Sequence, residues 1–265
     1  MNLSDLPPPL LALLVGCFTW LVTALGAATA FFFRGGRPRT MDLMLGFAAG
    51  VMLAASFWSL LEPAIALAES LGGCPPWLMA AGGFLAGAGF LRLTDLGMTA
   101  LRPDQNSGAL RRIRMLILSI TLHNVPEGLA VGVAFGALGE GFTPERLAAA
   151  MSVALGIGLQ NYPEGAAVAL PLRQEGRSRA KSFLAAQATG LVEPVSALLG
   201  ALLVQRVRLL LPWALAFAAG AMVQVAVSEL IPACGRENED RASDRAAPGI
   251  LLGFALMMVL DVALG

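Results

Sequence analysis

The chain has 265 residues, with 18 acidic and 18 basic side chains, and only 14% of its residues are charged. A soluble domain carries about 25%, whereas here 57% of residues are apolar and the mean hydropathy is +0.71. The zero net charge says nothing about nucleic acid; the arginines read as topological, and a basic partner-binding face is a poor reading. Cys17, Cys74 and Cys234 lie far apart with no C-x-x-C spacing, so they read as structural or incidental.

Eight apolar stretches can each cross roughly 30 Å of hydrocarbon, which takes about 20 helical residues. In chain order they cover residues 10–33, 43–68, 77–96, 110–138, 147–172, 182–204, 209–233 and 246–264. The third is the weakest, because Arg92 and Asp95 crowd its end. Residues 1–9 have no positive n-region and read as no cleaved signal peptide. The longest loops, 101–109 and 236–245, are polar, and 139–145 is merely a connector. The expected fold is all-α: a polytopic membrane protein with eight transmembrane helices in inverted-repeat organisation, one domain over residues 1–265.

Fifteen of the 18 Lys and Arg residues fall in the odd-numbered loops and their flanks. The even loops hold only Arg146, Arg206 and Arg208. By the positive-inside rule the odd loops lie in the cytosol. Both termini are then outside, in a multi-pass protein of the cell inner (plasma) membrane.

Two internal echoes stand out. The fourth span holds Leu122-His123-Asn124-Val125-Pro126-Glu127-Gly128-Leu129-Ala130-Val131, and the fifth holds Leu159-Gln160-Asn161-Tyr162-Pro163-Glu164-Gly165-Ala166-Ala167-Val168. Seven of these ten aligned positions are identical. Adjacent spans run in opposite directions, so one motif is presented from both faces of the membrane. The second echo is Phe47-Ala48-Ala49-Gly50-Val51-Met52 against Phe217-Ala218-Ala219-Gly220-Ala221-Met222. Taken alone, it is as well explained by chance recurrence of small-residue runs. Inverted pairs of broken helices meeting at the midplane are a common transporter plan.

His123 and Glu127 are four residues apart and project from one helix face, with Asn124 close beside them. Gln160, Asn161 and Glu164 repeat that geometry. Pro126 and Pro163 cannot donate a backbone hydrogen bond, and each frees the carbonyl four residues earlier. The sixth span adds Glu193 beside Pro194. A charged residue at a helix centre costs roughly 2.5–3.5 kcal/mol on insertion scales. No Lys or Arg lies deep in any span to neutralise these three carboxylates, so a bound cation is the simplest partner. Oxygen ligands with one imidazole suit zinc and tolerate cadmium, manganese or ferrous iron. His123, the only histidine, reads as a ligand. Met52 on these grounds reads as a core gap-filler, although its thioether would favour softer metals. Glu62 beside Pro63 reads as a kink or vestibule residue near the outer end of its span.

The paired H-N-x-P-E-G and Q-N-x-P-E-G motifs resemble those of the ZIP (Zrt/Irt-like) divalent metal transporter family, specifically its bacterial GufA-type branch. Further matches are the run from Met41 to Gly50, Met52, Glu193-Pro194, Ser228-Glu229-Leu230-Ile231-Pro232 and Gly253-Phe254-Ala255-Leu256-Met257-Met258. The resemblance implies uptake of a transported divalent cation, Zn2+ first, into the cytosol, with no organic cofactor. It implies one ion on Met52, His123, Glu127, Gln160 and Glu164, and a second on Asn124, Glu127, Asn161, Glu164 and Glu193. It implies Ser59 and Asp261 at the external entrance, Glu229 near the internal exit, a homodimer, and a slide of spans one, four, five and six against the rest. The chain departs from the family where Gln160 replaces a frequent His and Asn161 a frequent carboxylate. Two divalent ions bring more charge than Glu127, Glu164 and Glu193 offset, so the second site is expected to be the weaker, or to hold a monovalent ion or a proton. The chain is expected not to be an enzyme. The alternative, an intramembrane metal-dependent hydrolase, would call for an H-E-x-x-H-like motif that is missing.

Overall fold

The computed structural model describes residues 6–33, 38–100, 108–206, 208–234 and 242–264, which contain helix and no strand. The first span is α1 (Pro8–Ala27) with the short α2 (Thr29–Phe32). The second is α3 (Pro38–Ala55), a π-helical stretch Ser56–Leu61, and α4 (Glu62–Leu71). Then come α5 (Pro76–Ala100), α6 (Gly108–Gly136) and α7 (Pro144–Gln174). The sixth span is α8 (Arg179–Thr189) and α9 (Val192–Arg206). The seventh is α10 (Leu211–Val225), a π-helical stretch Ala226–Leu230, and α11 (Ile231–Ala233); α12 (Ala242–Leu264) is the eighth. Residues 101–107 and 235–241, within the two polar loops, lie outside the described residues.

Among the described residues six helices are long and apolar enough to cross a membrane. The other two long helices, α6 and α7, have 29 and 31 residues, ample length at 1.5 Å per residue, and carry the repeated motif mid-helix. The chain is an all-α polytopic membrane protein. Local chemistry sets where α7 begins. The Thr143 hydroxyl accepts from the Arg146 N–H at 3.2 Å, and Pro144 fills the first turn, where no N–H is needed. Glu145 in that turn is held below the usual carboxylate range by its own backbone N–H and the Thr143 hydroxyl.

The helices that carry the repeated motif are continuous. Pro126 and Pro163 lie inside α6 and α7 without interrupting them. A proline removes one hydrogen bond, which a long helix packed on both sides absorbs as a local adjustment. The breaks fall elsewhere. One separates α8 from α9 at Gly190 and Leu191, where the Glu193 N–H closes a tight turn onto the Gly190 carbonyl at 3.0 Å. The others are the two π-helical stretches, each beginning four residues after a methionine of the second echo, Met52 and Met222.

Glycine decides which helices meet. A Cβ at Gly50 would overlap the Ile250 carbonyl of α12, and one at Gly253 the Phe47 carbonyl of α3. The other half repeats this: a Cβ at Gly220 would overlap the Phe84 carbonyl of α5, and one at Gly87 the Phe217 carbonyl of α10. The second echo is therefore no coincidence, since both copies place the same residues in the same backbone-to-backbone seam. The motif helices follow suit. Gly165 on α7 meets the Thr23 carbonyl of α1, and Gly128 on α6 meets the Glu193 carbonyl of α9. Lipid gives helices no hydrophobic reason to associate, so close backbone approach through small residues supplies the attraction. Two groups result, α1 with α6, α7 and α9, and α3 with α5, α10 and α12, joined where α3 and α12 pack on α7 and α10 packs on α6.

Valine at Gly165 or Gly220 is expected to break these seams, since over-packing a filled interior costs about 1–3 kcal/mol and backbone cannot move aside cheaply. Gly89 is the control, because a Cβ at that position would meet nothing within 4 Å. Thermal unfolding of the purified protein should show a lowered Tm for Gly165→Val and Gly220→Val and an unchanged one for Gly89→Ala.

Candidate metal centre

The motif side chains sit where α6, α7, α9 and α1 meet. Asn124, Glu127, Gln160, Asn161, Glu164 and Glu193 are all buried, with Glu127, Gln160 and Glu193 at 0% exposure. Gln160 Nε2 donates to Glu127 Oε1 at 2.6 Å and ties α7 to α6. Asn161 Nδ2 donates to Glu193 Oε2 at 2.8 Å and to the Thr19 carbonyl at 3.1 Å, tying α7 to α9 and α1. Thr23 Oγ1 adds a bond to Glu193 Oε1 at 3.3 Å.

Five buried oxygens at this junction have no hydrogen-bond partner among the described residues: Asn124 Oδ1, Glu127 Oε2, Gln160 Oε1, Asn161 Oδ1 and Glu164 Oε1. A buried acceptor left unpaired costs about 1–3 kcal/mol, more when charged. Two asparagines and two glutamates at equivalent positions of one repeated motif, with Gln160 where the other copy has His123, form a set of hard oxygen donors that fits a divalent cation. The acidic residues alone make no such set, since among the described residues no three His, Cys, Asp or Glu side chains are grouped to hold one ion. The amides carry the difference. The side chain of His123 lies outside the described residues. Met52 is fully buried on α3, the helix that packs against α7, and its carbonyl accepts from Ser56 Oγ at 2.7 Å.

The residues expected at the entrance, Ser59 and Asp261, also meet. Asp261 Oδ1 accepts from Ser59 Oγ at 2.7 Å and from Ser152 Oγ at 2.8 Å, which joins α12, the second span and α7. A cavity of about 410 Å³ opens beside them, lined by Trp58, Ser59, Glu62, Pro63 and Asp261. It adjoins a second cavity of about 430 Å³ that reaches Val133 on α6 and Val153 on α7. Glu62 is exposed in this cavity, as a vestibule residue would be. Glu229 lies apart from these groups, half-buried in the π-helical stretch of the seventh span.

Thr19, Thr23 and Ser152 are polar partners that the sequence motifs do not single out. Thr19 and Thr23 are four apart, a polar stripe on one face of an apolar span, and Ser152 lies two turns before Gln160 on the same face. Helical spacing to a motif residue is the signal that points to Ser152. The threonines lack it, because what they touch on α7 and α9 is over 140 residues away in the chain.

Comparison with known proteins identifies the family. The family model described as ZIP zinc transporter matches residues 104–261. The zinc transporter ZIP11 of Xenopus tropicalis is 40% identical over 97% of this chain and 98% of its own length. The zinc transporter GufA of Myxococcus xanthus is 44% identical, covering 78% of this chain and 81% of that protein. The zinc transporter ZIPB of Bordetella bronchiseptica is 38% identical over 96% of this chain and 81% of its own length. With its buried oxygens on two inverted motif helices and relatives matched over nearly its whole length, the chain belongs to the ZIP family of zinc transporters.

Proposed function

We propose that this chain moves zinc, and less selectively cadmium, iron or manganese, into the cytosol through a midplane site on Met52, His123, Asn124, Glu127, Gln160, Asn161 and Glu164, with Glu193 beside it. The observation that carries the reading is the set of five unpartnered buried oxygens on α6 and α7. Glu127 and Glu164 offset the charge of one divalent ion, and the amide oxygens complete its coordination without adding charge. Amides bind zinc more weakly than imidazole or thiolate, so the site favours passage over tight retention.

The route starts at the cavity beside Ser59, Glu62 and Asp261 and ends past Glu229, in a homodimer of the plasma membrane with both termini outside. Support for a sliding motion comes from the seams. The glycine contacts lock α1, α6, α7 and α9 to one another, α3 to α12, and α5 to α10. Between the groups, Gly156 of α7 faces the flexible Met257 side chain of α12 instead of backbone. A thioether chain yields to a passing helix more readily than a carbonyl does.

In proteoliposomes the wild type should take up zinc without a nucleotide, and Glu127→Ala and Glu164→Ala should reduce the rate to background while still folding. Wild-type rates in both variants would sink the site. Competition by cadmium, manganese and iron ranks the cargo. Orientation has its own check in Cys74, which lies between the second and third spans and is half-buried. In intact cells a membrane-impermeant maleimide should label Cys74 and lose its target in Cys74→Ser.

A further inference from the structure

The oxygens of the motif side chains divide into two groups. The five unpartnered ones, Asn124 Oδ1, Glu127 Oε2, Gln160 Oε1, Asn161 Oδ1 and Glu164 Oε1, all belong to α6 and α7. Glu193, on α9, is different. Its Oε2 accepts from Asn161 at 2.8 Å and its Oε1 from Thr23 at 3.3 Å. The second amide hydrogen of Asn161 goes to the Thr19 carbonyl at 3.1 Å. That carbonyl can only accept, so the amide has one admissible orientation: nitrogen toward α1 and α9, oxygen turned away. The packing is built for this arrangement. A Cβ at Gly190 would stand 2.9 Å from Glu193 Oε1 and 3.1 Å from Thr23 Oγ1, so glycine there leaves the room the carboxylate occupies.

We propose that Glu193 is a positioning residue and not an ion ligand, and that its hydrogen bonds with Asn161 and Thr23 replace a second metal ion, leaving a site for one. The proposal rests on the reading of the α6 and α7 oxygens as a metal site. Asn161 then acts with both ends of its amide. The nitrogen is anchored on Glu193 and the Thr19 carbonyl, and the anchored group presents its oxygen to the cargo. A carboxylate at position 161 would set two acceptors face to face, an arrangement that requires a cation between them. The amide hydrogen supplies the positive end from within the chain. Thr23 completes the cradle from α1, so the carboxylate of α9 is held by two other helices of the same group.

Counting bound metal tests this directly. Full-length protein, stripped of metal in detergent and dialysed to equilibrium against zinc, is analysed for zinc per chain and for affinity. The wild type should hold one equivalent. Glu193→Gln should still hold one, weakened about tenfold, as when an outer partner of a ligand is removed. Thr23→Val should weaken binding without changing the count, and Thr23→Ser should restore it. Asn161→Asp should hold two equivalents, and the double variant Asn161→Asp with Glu193→Gln should return to one. Two equivalents in the wild type with one lost in Glu193→Gln would overturn the proposal. So would a folded Glu193→Gln that binds none, or an Asn161→Asp that stays at one. Glu127→Ala reports separately on the underlying site: retention of the wild-type equivalent there refutes that site, whereas the Glu193→Gln count decides this proposal.

Discussion

Everything in this molecule turns on keeping carboxylates in a place where neither water nor a cationic side chain can match them. Three glutamates lie fully or almost fully buried mid-span, and no Lys or Arg stands deep in any span. Each carries an insertion cost of roughly 2.5–3.5 kcal/mol, a large sum against marginal native stability. The chain meets that cost with amides. Gln160 and Asn161 each send a donor to a glutamate, at 2.6 Å and 2.8 Å, and each keeps an acceptor in reserve. A carboxylate at these positions would supply acceptors without a donor toward the glutamate. The amide does both, stabilising the acid in the apo protein while leaving an oxygen for an ion.

This dual use demands close placement, and glycine provides it. The Asn161 amide reaches the Thr19 carbonyl only because Gly165 and Gly26 let α7 and α1 touch backbone to backbone. Gly128 and Gly132 do the same for α6 against α9. Position of the polar groups is thus inherited from seams held by backbone contact. In lipid, such seams also supply the cohesion of each helix group. One feature of the sequence, small residues in register, therefore sets both stability and site geometry, and it recurs in the two inverted halves.

Much of this is legible in the chain itself. The spans, the paired motif and the burial of its polar residues follow from hydropathy and helical spacing. The second echo is ambiguous as a string of letters, because small residues recur by chance. It becomes meaningful only where Gly50 and Gly220 oppose carbonyls in equivalent seams. Two things are not legible. Proline reads locally as a break, yet Pro126 and Pro163 sit in unbroken helices, because packing from both sides outweighs one missing hydrogen bond. Threonine in an apolar helix reads as neutral, since its hydroxyl can bond within its own turn, as Thr19 does to the Gly16 carbonyl at 3.0 Å. That Thr23 also reaches Glu193 depends on a tertiary pairing 170 residues away in the chain, which no local pattern encodes.

The route proposed for the cargo also orders these groups by how wet they are. Asp261 lies beside an open cavity and is held by two serine hydroxyls, so an ion arriving there keeps part of its water. The glutamates on α6 and α7 offer no such wetting, and an ion must exchange water for protein oxygens to reach them. That exchange is tolerable when the loaded site carries no net charge, because the self-energy of an uncompensated charge in a low-dielectric medium is many kcal/mol. Glu127 and Glu164 with one divalent ion meet that condition. A third carboxylate directly on the ion would leave the loaded site negative, and a second ion would leave it positive. On the proposed reading, holding Glu193 to one side, against donors of its own, lets a neutral load cross the driest part of the path.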